Sequence, residues 1–94
     1  MNPVRDPAFY YVYVLRSRKD RRWYTGFTND LRKRLNEHNS NLSTWTKNRG
    51  PFSLIYCEAS KNQADTRARE KYLKTGMGKR YLKNRLRRFL SLTG

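Results

Sequence analysis

The sequence predicts a small α+β domain, in which a three-stranded antiparallel sheet is flanked by helices in the order β-β-α-β-α-α. Three stretches rich in aromatic and β-branched residues fit a pleated sheet, and the segments around them place apolar residues at helical spacing. With 94 residues and 14% aromatic side chains, the chain can build one modest core. We expect one domain over residues 9–94, after a flexible lead-in at residues 1–8 that two prolines interrupt.

The first two strands are predicted from Phe9 to Arg16 and from Arg21 to Phe27, with a polar turn between them. If that turn has four residues, Tyr13 lies opposite Tyr24. This register would bring both tyrosine side chains to one face of the sheet, next to Gly26. A glycine there would let a backbone or a phosphate approach closely.

A short helix is predicted from Asp30 to Asn39. Three good capping residues stand at its start, Thr28, Asn29 and Asp30. Leu31 and Leu35 are one helical turn apart, and Arg34 and His38 fall on the same stripe. Because a helix with spare surface normally turns an arginine outward, this pattern indicates that both polar side chains are aimed at something. The nearest candidate is the end of the second strand.

After this helix we expect a polar loop over residues 39–51, a third strand from Phe52 to Ala59 and a helix from Asn62 to Lys74. The apolar side of that helix consists of Ala64, Ala68 and Tyr72. The single cysteine, Cys57, lies in an apolar run of the third strand, so a buried core thiol is expected.

In the C-terminal part, two glycines flank a methionine at residues 76–78, and this segment should end the preceding helix. A last helix is predicted from Lys79 to Leu92. The apolar face of this helix holds Leu82, Leu86, Phe89 and Leu90. Its other face is almost entirely lysine and arginine, and we expect it to follow a nucleic-acid backbone.

The charge of the chain indicates a polyanionic partner. Twenty-two Lys and Arg against seven Asp and Glu give a net charge of +15. In a compact chain these positively charged side chains repel one another unless a polyanion binds to them. Nucleic acid is the first candidate. An anionic membrane surface is a weaker one, because the sequence has no long amphipathic helix rich in Trp and Phe. The positions expected to contact nucleic acid are Gly26, Lys33, Lys47, Arg49, Lys79, Arg80 and Lys83.

Several classes of protein are disfavoured. One cysteine allows no intramolecular disulfide and no CxxC zinc site. No stretch approaches the ~20 apolar residues of a membrane span, and the first residues have no apolar run typical of a signal peptide. We therefore expect a cytoplasmic protein without a membrane partner.

The acidic residues are few, so each is a candidate for a role. Asp20 and Asp30 are explained by a turn and a helix cap, but Glu70 has no such local explanation. It is predicted opposite the apolar side of its helix, among basic neighbours. Two interpretations are open: a solvated glutamate in ion pairs, or a single carboxylate ligand for Mg²⁺, which accepts one or two carboxylates and keeps water and phosphate as its other ligands.

Taken in order, these residues resemble the GIY-YIG nuclease domain, also called the URI domain, in its small stand-alone form. This form is similar to the catalytic domain of the incision subunit of nucleotide excision repair. Tyr11–Tyr13 stands where the family has Gly-Ile-Tyr, and Tyr24–Gly26 where it has Tyr-Ile-Gly. Arg34 and His38 match an arginine and a histidine of the first helix, and Glu70 matches a later helical glutamate.

The resemblance covers residues 9–85, with some departures. Tyr11 replaces the glycine of the first triplet. The family often has an asparagine after the glutamate, for which Asn84 is the nearby candidate. A family lysine early in the first helix has no firm match, although Asn29 and Lys33 lie nearby.

The resemblance implies hydrolysis of a DNA phosphodiester with one divalent ion, Mg²⁺ or Mn²⁺. In that scheme Tyr13 takes a proton from the attacking water, and Tyr24 is an orienting group or an alternative base. Arg34 stabilises charge on the phosphate, His38 orients the phosphate or assists the leaving oxygen, and Glu70 holds the metal. A tyrosine pKa of about 10 lies roughly three units above neutral pH, a gap of about 4 kcal/mol that Arg34 and the metal must help to offset.

Two other hypotheses stay open. The same fold could bind nucleic acid without cleaving it, because the charge alone supplies affinity that falls steeply with salt. A protein that associates with RNA or the ribosome is a third hypothesis, which only the charge favours. Branched or damaged DNA, RNA, and a protein partner that supplies specificity are the candidate partners.

Overall fold

The computed structural model describes residues 9–41, 43 and 46–93, and the lead-in predicted at residues 1–8 lies outside them. The elements in chain order are β1 (Tyr10–Ser17), β2 (Trp23–Thr28), α1 (Leu31–Asn39), β3 (Phe52–Ser60), α2 (Gln63–Leu73), α3 (Gly76–Arg85) and α4 (Arg87–Thr93). The sheet is antiparallel with strand order β2-β1-β3. The predicted α+β class and three-stranded antiparallel sheet are confirmed.

The central strand β1 supplies side chains to two separate cores, because successive residues of a strand point to opposite faces. One core is formed by Val12, Val14, Leu73 and Leu82. The other is formed by Tyr13, Leu15, Tyr24 and Phe52, with Leu31 and Leu35 of α1 packed against it. Both faces of β1 are therefore covered, and Tyr13 lies on the face that α1 covers.

The predicted register of the first hairpin is wrong by two residues. Tyr13 lies opposite Gly26, and Leu15 lies opposite Tyr24. The four-residue turn would also place Tyr11 opposite Gly26, whereas Tyr11 pairs with Thr28. The difference matters for the site, since it places the aromatic ring of Tyr13 directly beside the residue without a side chain.

The longer turn explains the shift. The Ser17 hydroxyl accepts hydrogen bonds from the backbone amides of Lys19 and Asp20, at 3.0 and 3.1 Å. The Ser17 amide donates to the Arg22 carbonyl at 2.9 Å, and Arg21 has a φ of 66°. These contacts add two residues to the turn on its β2 side, so β2 begins at Trp23.

The face that α2 buries differs from the predicted one. The residues of the expected apolar side are exposed, namely Ala64, Ala68 and Tyr72. Thr66 and Leu73 are buried instead, and Arg69 makes an ion pair with Glu58 of β3 through Nε and Oε1 at 2.8 Å. Because the inner side of α2 is largely polar, its apolar residues are a poor guide to its orientation. Glu70, predicted opposite those residues, is turned inward.

The segment at residues 76–78 does not separate two helices as predicted. Thr75 caps α3 by accepting from the Gly78 amide at 3.1 Å, so the glycines form the first turn of α3. The predicted last helix is also interrupted at Leu86, which caps the end of α3. Leu82 and Leu86 are buried, whereas Phe89 is 38% exposed.

Gly78 and Gly76 provide a matched test of how closely α2 and α3 approach. A methyl group on Gly78 would collide with the backbone of Tyr72 and Leu73, whereas one on Gly76 would meet nothing within 4 Å. We expect Gly78→Ala to lower the free energy of unfolding by about 2–4 kcal/mol, since backbone atoms cannot move aside easily. Gly76→Ala should be neutral or stabilising by up to ~1 kcal/mol. Urea unfolding of both variants measures this, and equal stability would contradict the packing described.

Cys57 does not occupy the core position expected of it. It lies on β3, an edge strand of the sheet, and its side chain is exposed. The apolar run around it is only half-buried at most positions. Over the described ranges, none of the helices has the length and apolar character needed to cross a bilayer.

Candidate active site

A pocket of about 250 Å³ gathers side chains from four elements of the fold. Strands β1 and β2, helix α1 and helix α2 all contribute to its wall. The lining residues are Tyr13, Gly26, Phe27, Arg34, Arg67, Glu70 and Lys74. Four residues that the sequence singled out, from positions far apart in the chain, thus meet at one place.

Tyr13 is held against Gly26. A methyl group on Gly26 would overlap the hydroxyl and ring of Tyr13, so only glycine leaves room for the ring in this position. The Tyr13 side chain is almost fully buried. Its hydroxyl oxygen lies 2.9 Å from Nε2 of His38 and accepts a longer hydrogen bond, at 3.4 Å, from Nε of Arg34.

His38 lies behind Tyr13, away from the pocket wall. Its ring is fully buried, with Nε2 facing the Tyr13 hydroxyl and Nδ1 at 2.5 Å from the hydroxyl oxygen of Thr46. Burial, together with the nearby charge of Arg34, lowers the His38 pKa to about 4. His38 is therefore neutral at pH 7, and a role in which it touches the phosphate does not fit its position.

Burial raises the pKa of the Tyr13 hydroxyl above its ordinary value of 10, although the hydrogen bond and positive charge of Arg34 act in the opposite direction. The carboxylates of Glu70 and Glu37 raise the pKa further. At neutral pH the hydroxyl therefore carries its proton in all but a small fraction of molecules.

Arg34 is fixed by contacts on three sides. Besides its bond to Tyr13, it donates from Nη1 to Oε1 of Glu37 at 3.0 Å and from Nη2 to the Ser43 hydroxyl at 3.4 Å. The side chain is one-third exposed, so it reaches from the protein interior to the pocket. A guanidinium held in this way suits recognition of a phosphate, since its planar donors need little further ordering.

Glu70 is the carboxylate of the pocket. Its side chain is only 14% exposed, and Oε2 accepts from Nζ of Lys74 at 3.0 Å, while Oε1 lies 3.9 Å from Nη1 of Arg67. The Arg67 guanidinium also covers the ring of Phe27, 4.0 Å from its centroid. The part of the chain that the structure describes contains no group of three or more His, Cys, Asp and Glu residues that could hold a metal ion.

Tyr24 belongs to the same core as Tyr13 but not to the same pocket. It packs edge-on against Phe52, at 5.4 Å between ring centroids, and borders a neighbouring groove beside α3. Lys79 and Lys83 border that groove as well.

The other predicted contact residues lie elsewhere. Lys33 and Arg80 are exposed on α1 and α3. Lys47 and Arg49 line a separate hollow with Lys19 and Asp20, which shares no residue with the pocket. Asn84 borders a third hollow at the junction of α3 and α4, so the structure does not bring it to Glu70.

Three residues at the site were missed in the sequence. Arg67 and Lys74 stand three residues before and four residues after Glu70, a spacing that brings side chains together on a helix and could have revealed them. Thr46 had no such signal, because its contact with His38 joins a loop to the end of α1.

The chain is similar to several UPF0213 proteins in sequence and in overall fold. The UPF0213 protein CPE1444 of Clostridium perfringens is 43% identical over 65 residues, which are 68% of this chain and 69% of that protein. The UPF0213 protein YazA of Bacillus subtilis is 38% identical over 66 residues, 69% of this chain and 66% of YazA. The solution NMR structure of the UPF0213 protein BH0048 from Bacillus halodurans has a TM-score of 0.50 and 32% identity, covering 79% of this chain and 81% of that one.

The family match covers most of the chain. Residues 9–84 match the family model of the GIY-YIG catalytic domain, a range that includes both tyrosine triplets, α1 and Glu70. This family is one of endonucleases, and the similar proteins are UPF0213 proteins. The chain therefore belongs to the GIY-YIG family.

Proposed function

We propose that this protein is a nuclease that hydrolyses DNA phosphodiester bonds with the help of one divalent ion, Mg²⁺ or Mn²⁺. The observation that carries the proposal is the meeting of Tyr13, Arg34 and Glu70 at one pocket. A base, a fixed cation and a carboxylate are the groups that phosphoryl transfer to water requires.

The phosphate is proposed to bind between the cations of the pocket. Arg34, Arg67 and Lys74 face the same space, and Arg34 is the one held by hydrogen bonds. As the reaction proceeds, negative charge grows on the phosphate oxygens, and a donor already in place stabilises this charge without reorganising. Arg34 therefore has the role of stabilising the transition state.

Glu70 fits a single magnesium ion. Its carboxylate is a hard oxygen donor, and one carboxylate is enough for Mg²⁺, which keeps several waters and takes phosphate oxygens as ligands. Lys74 Nζ occupies Oε2 of Glu70 in this structure, so the half-exposed lysine side chain must swing away for Glu70 to hold the ion. The bound ion would polarise the phosphate and offset charge on the leaving oxygen.

Tyr13 is proposed as the general base in its phenolate form. Two donors can stabilise the phenolate oxygen: Nε–H of Arg34, and Nε2–H of His38 when the imidazole proton is on that nitrogen. Thr46 favours this tautomer if its hydroxyl donates to Nδ1. In this proposal His38 positions Tyr13 and does not contact the phosphate, which changes the role expected from the resemblance.

A nucleic-acid-binding module is the second candidate, and the net charge of +15 is the observation that favours it. Charge of this size gives affinity without chemistry. Tight binding with a steep dependence on salt, and no cleavage with any divalent metal, would support it. The same binding and cleavage assays compare the other candidate partners, namely branched DNA, damaged DNA, RNA, and a protein that provides specificity.

The decisive experiment is a nicking assay with plasmid and branched DNA, with Mg²⁺ or Mn²⁺, on the wild type and two variants. We expect metal-dependent cleavage by the wild type and a loss of at least ~100-fold in Glu70→Gln, which keeps the size of the side chain but removes its charge. Asp65→Asn is the matched control, since it removes an exposed carboxylate from the same helix. Full activity of Glu70→Gln would refute the metal assignment.

A further inference from the structure

A second cavity adjoins the pocket, and we call it the β2–α3 groove. It has a volume of about 640 Å³, within the range of sites that hold small molecules. Its principal lining residues are Arg22, Trp23, Lys74, Lys79, Leu82 and Lys83. Strand β2 forms one side, and α3 with the end of α2 forms the other.

The groove combines an apolar floor with a cationic rim. Trp23 is half-buried and Leu82 is buried, and both belong to or pack against the core beneath α2 and α3. Arg22, Lys79 and Lys83 are exposed around them. Among the described residues that line the groove there is no carboxylate, so their charges have one sign. An aromatic ring beside several cations is the combination that binds single-stranded nucleic acid, with bases stacked on the ring and phosphates near the lysines.

Lys74 connects the groove to the candidate active site. It lines both cavities, and its ammonium group lies 3.0 Å from Glu70. A strand whose phosphate occupied the pocket would thus continue into the groove after a short distance. This continuity distinguishes the groove from the hollow near Lys47 and Arg49, which shares no residue with the pocket.

We propose that the β2–α3 groove binds an unpaired nucleotide that flanks the cleaved phosphate, with its base against Trp23 and its phosphate near Lys79 and Lys83. A paired base in the interior of a duplex cannot stack on a side chain, because both of its faces are covered by neighbouring base pairs. The groove therefore favours DNA with a single-stranded or opened segment next to the cleavage position. This inference rests on the proposed nuclease function for the position of the scissile phosphate, but the binding it describes requires no cleavage.

Binding is measured by fluorescence anisotropy in EDTA, with a labelled oligothymidine and a duplex of equal length, so that failure of catalysis does not affect the result. We expect Trp23→Leu to weaken binding of the oligothymidine by roughly 5- to 150-fold, as base stacking on one aromatic ring predicts, and to change duplex binding less than twofold. Trp23→Phe, which keeps a ring, should restore most of the affinity. An equal loss for single strand and duplex, or no loss at all, would overturn the proposal.

The cations of the rim are tested through salt dependence. Replacing Lys79 and Lys83 together by glutamine should reduce the slope of log affinity against log salt for the oligothymidine by about 1.4, at about 0.7 per phosphate contact. In the matched control, glutamine replaces Arg87 and Arg88, which are two exposed cations of α4 that do not line the groove. An equal change of slope in both double variants would show general attraction only and would contradict a site in the groove.

A third measurement does not depend on the stability of Trp23→Leu. The chain has two tryptophans, so Trp45→Phe leaves Trp23 as the sole tryptophan fluorophore. Oligonucleotides that contain 5-bromouracil should quench its emission on binding, and unmodified oligonucleotides should quench it less. Equal quenching by both would place the base away from Trp23 and reject the stacking.

Discussion

Tyr13→Phe is expected to reduce DNA cleavage by roughly 10²–10⁴-fold, the range of a general base, while binding of DNA is retained. The substitution removes only the hydroxyl oxygen that faces His38 and Arg34. Since the ring stays against Gly26, the loss of stability should be about 1–3 kcal/mol, because Nε2 of the buried His38 loses its bond to the hydroxyl. Single-turnover nicking rates and urea unfolding of the same preparation separate the two effects.

The pH dependence of the wild-type rate follows from the same hydroxyl group. Burial holds the Tyr13 pKa above its ordinary value of 10, so less than about one molecule in a thousand carries the phenolate at pH 7. The rate should therefore rise about tenfold per pH unit between pH 7 and 9, without a plateau. A rate that levels off near pH 7 would contradict a phenolate base.

Two tyrosines serve as controls for Tyr13→Phe. Tyr11 lies on the same strand but not in the pocket, so Tyr11→Phe should leave the rate unchanged within about twofold. Tyr24→Phe tests the alternative base. Because Tyr24 borders the β2–α3 groove and not the pocket, we expect a smaller loss than for Tyr13→Phe. The reverse order would assign the base to Tyr24.

Acidification between pH 6.5 and 4 should lower the free energy of unfolding by about 3 kcal/mol through His38 alone. The His38 pKa is about 4 in the folded protein and about 6.5 in the unfolded chain, so the unfolded state binds more protons within this interval. Stability from this group is complete above pH 6.5, declines as the pH falls, and changes no further below pH 4. The cause is the burial of a neutral imidazole beside the charge of Arg34.

His38 is the single histidine of the chain, which makes the measurement direct. NMR titration of its ring protons should give a pKa near 4, and urea unfolding at several pH values should show the expected decline. His38→Gln removes the titrating group and should flatten the dependence between pH 6.5 and 5, where the carboxyl groups contribute little. A His38 pKa near 6.5 would mean that the ring is hydrated or paired with an acid.

Much of the fold could be predicted because its elements have strong local patterns. The aromatic and β-branched stretches located all three strands within two residues of their ends, and the cap at Asp30 is present, accepting from the Lys33 amide at 3.1 Å. The register could not be predicted, since side-chain hydrogen bonds of Ser17 lengthen the turn. The buried face of α2 could not be predicted either, because it joins one apolar residue, Leu73, to the polar Thr66 and the ion-paired Arg69, and most of its apolar residues lie outside it.

The site shows the same division between local and long-range information. Helical periodicity placed Arg34 beside the leucines of α1, and the scarcity of acidic residues singled out Glu70, which the family resemblance then matched. The contact between His38 and Thr46 depends on the path of the loop after α1, which periodicity does not describe. The β2–α3 groove likewise arises from the packing of α3 against the sheet. No local sequence pattern therefore indicated a binding site at Trp23.

The alternation of side chains along β1 restricts how this protein can diverge during evolution. Even-numbered valines face the core of α2 and α3, and odd-numbered Tyr13 and Leu15 face α1. An insertion or deletion of one codon within this strand would exchange the two sets, burying a phenol among aliphatic groups and exposing valines to the reaction centre. We therefore expect divergence within β1 to proceed mainly by substitution at constant length.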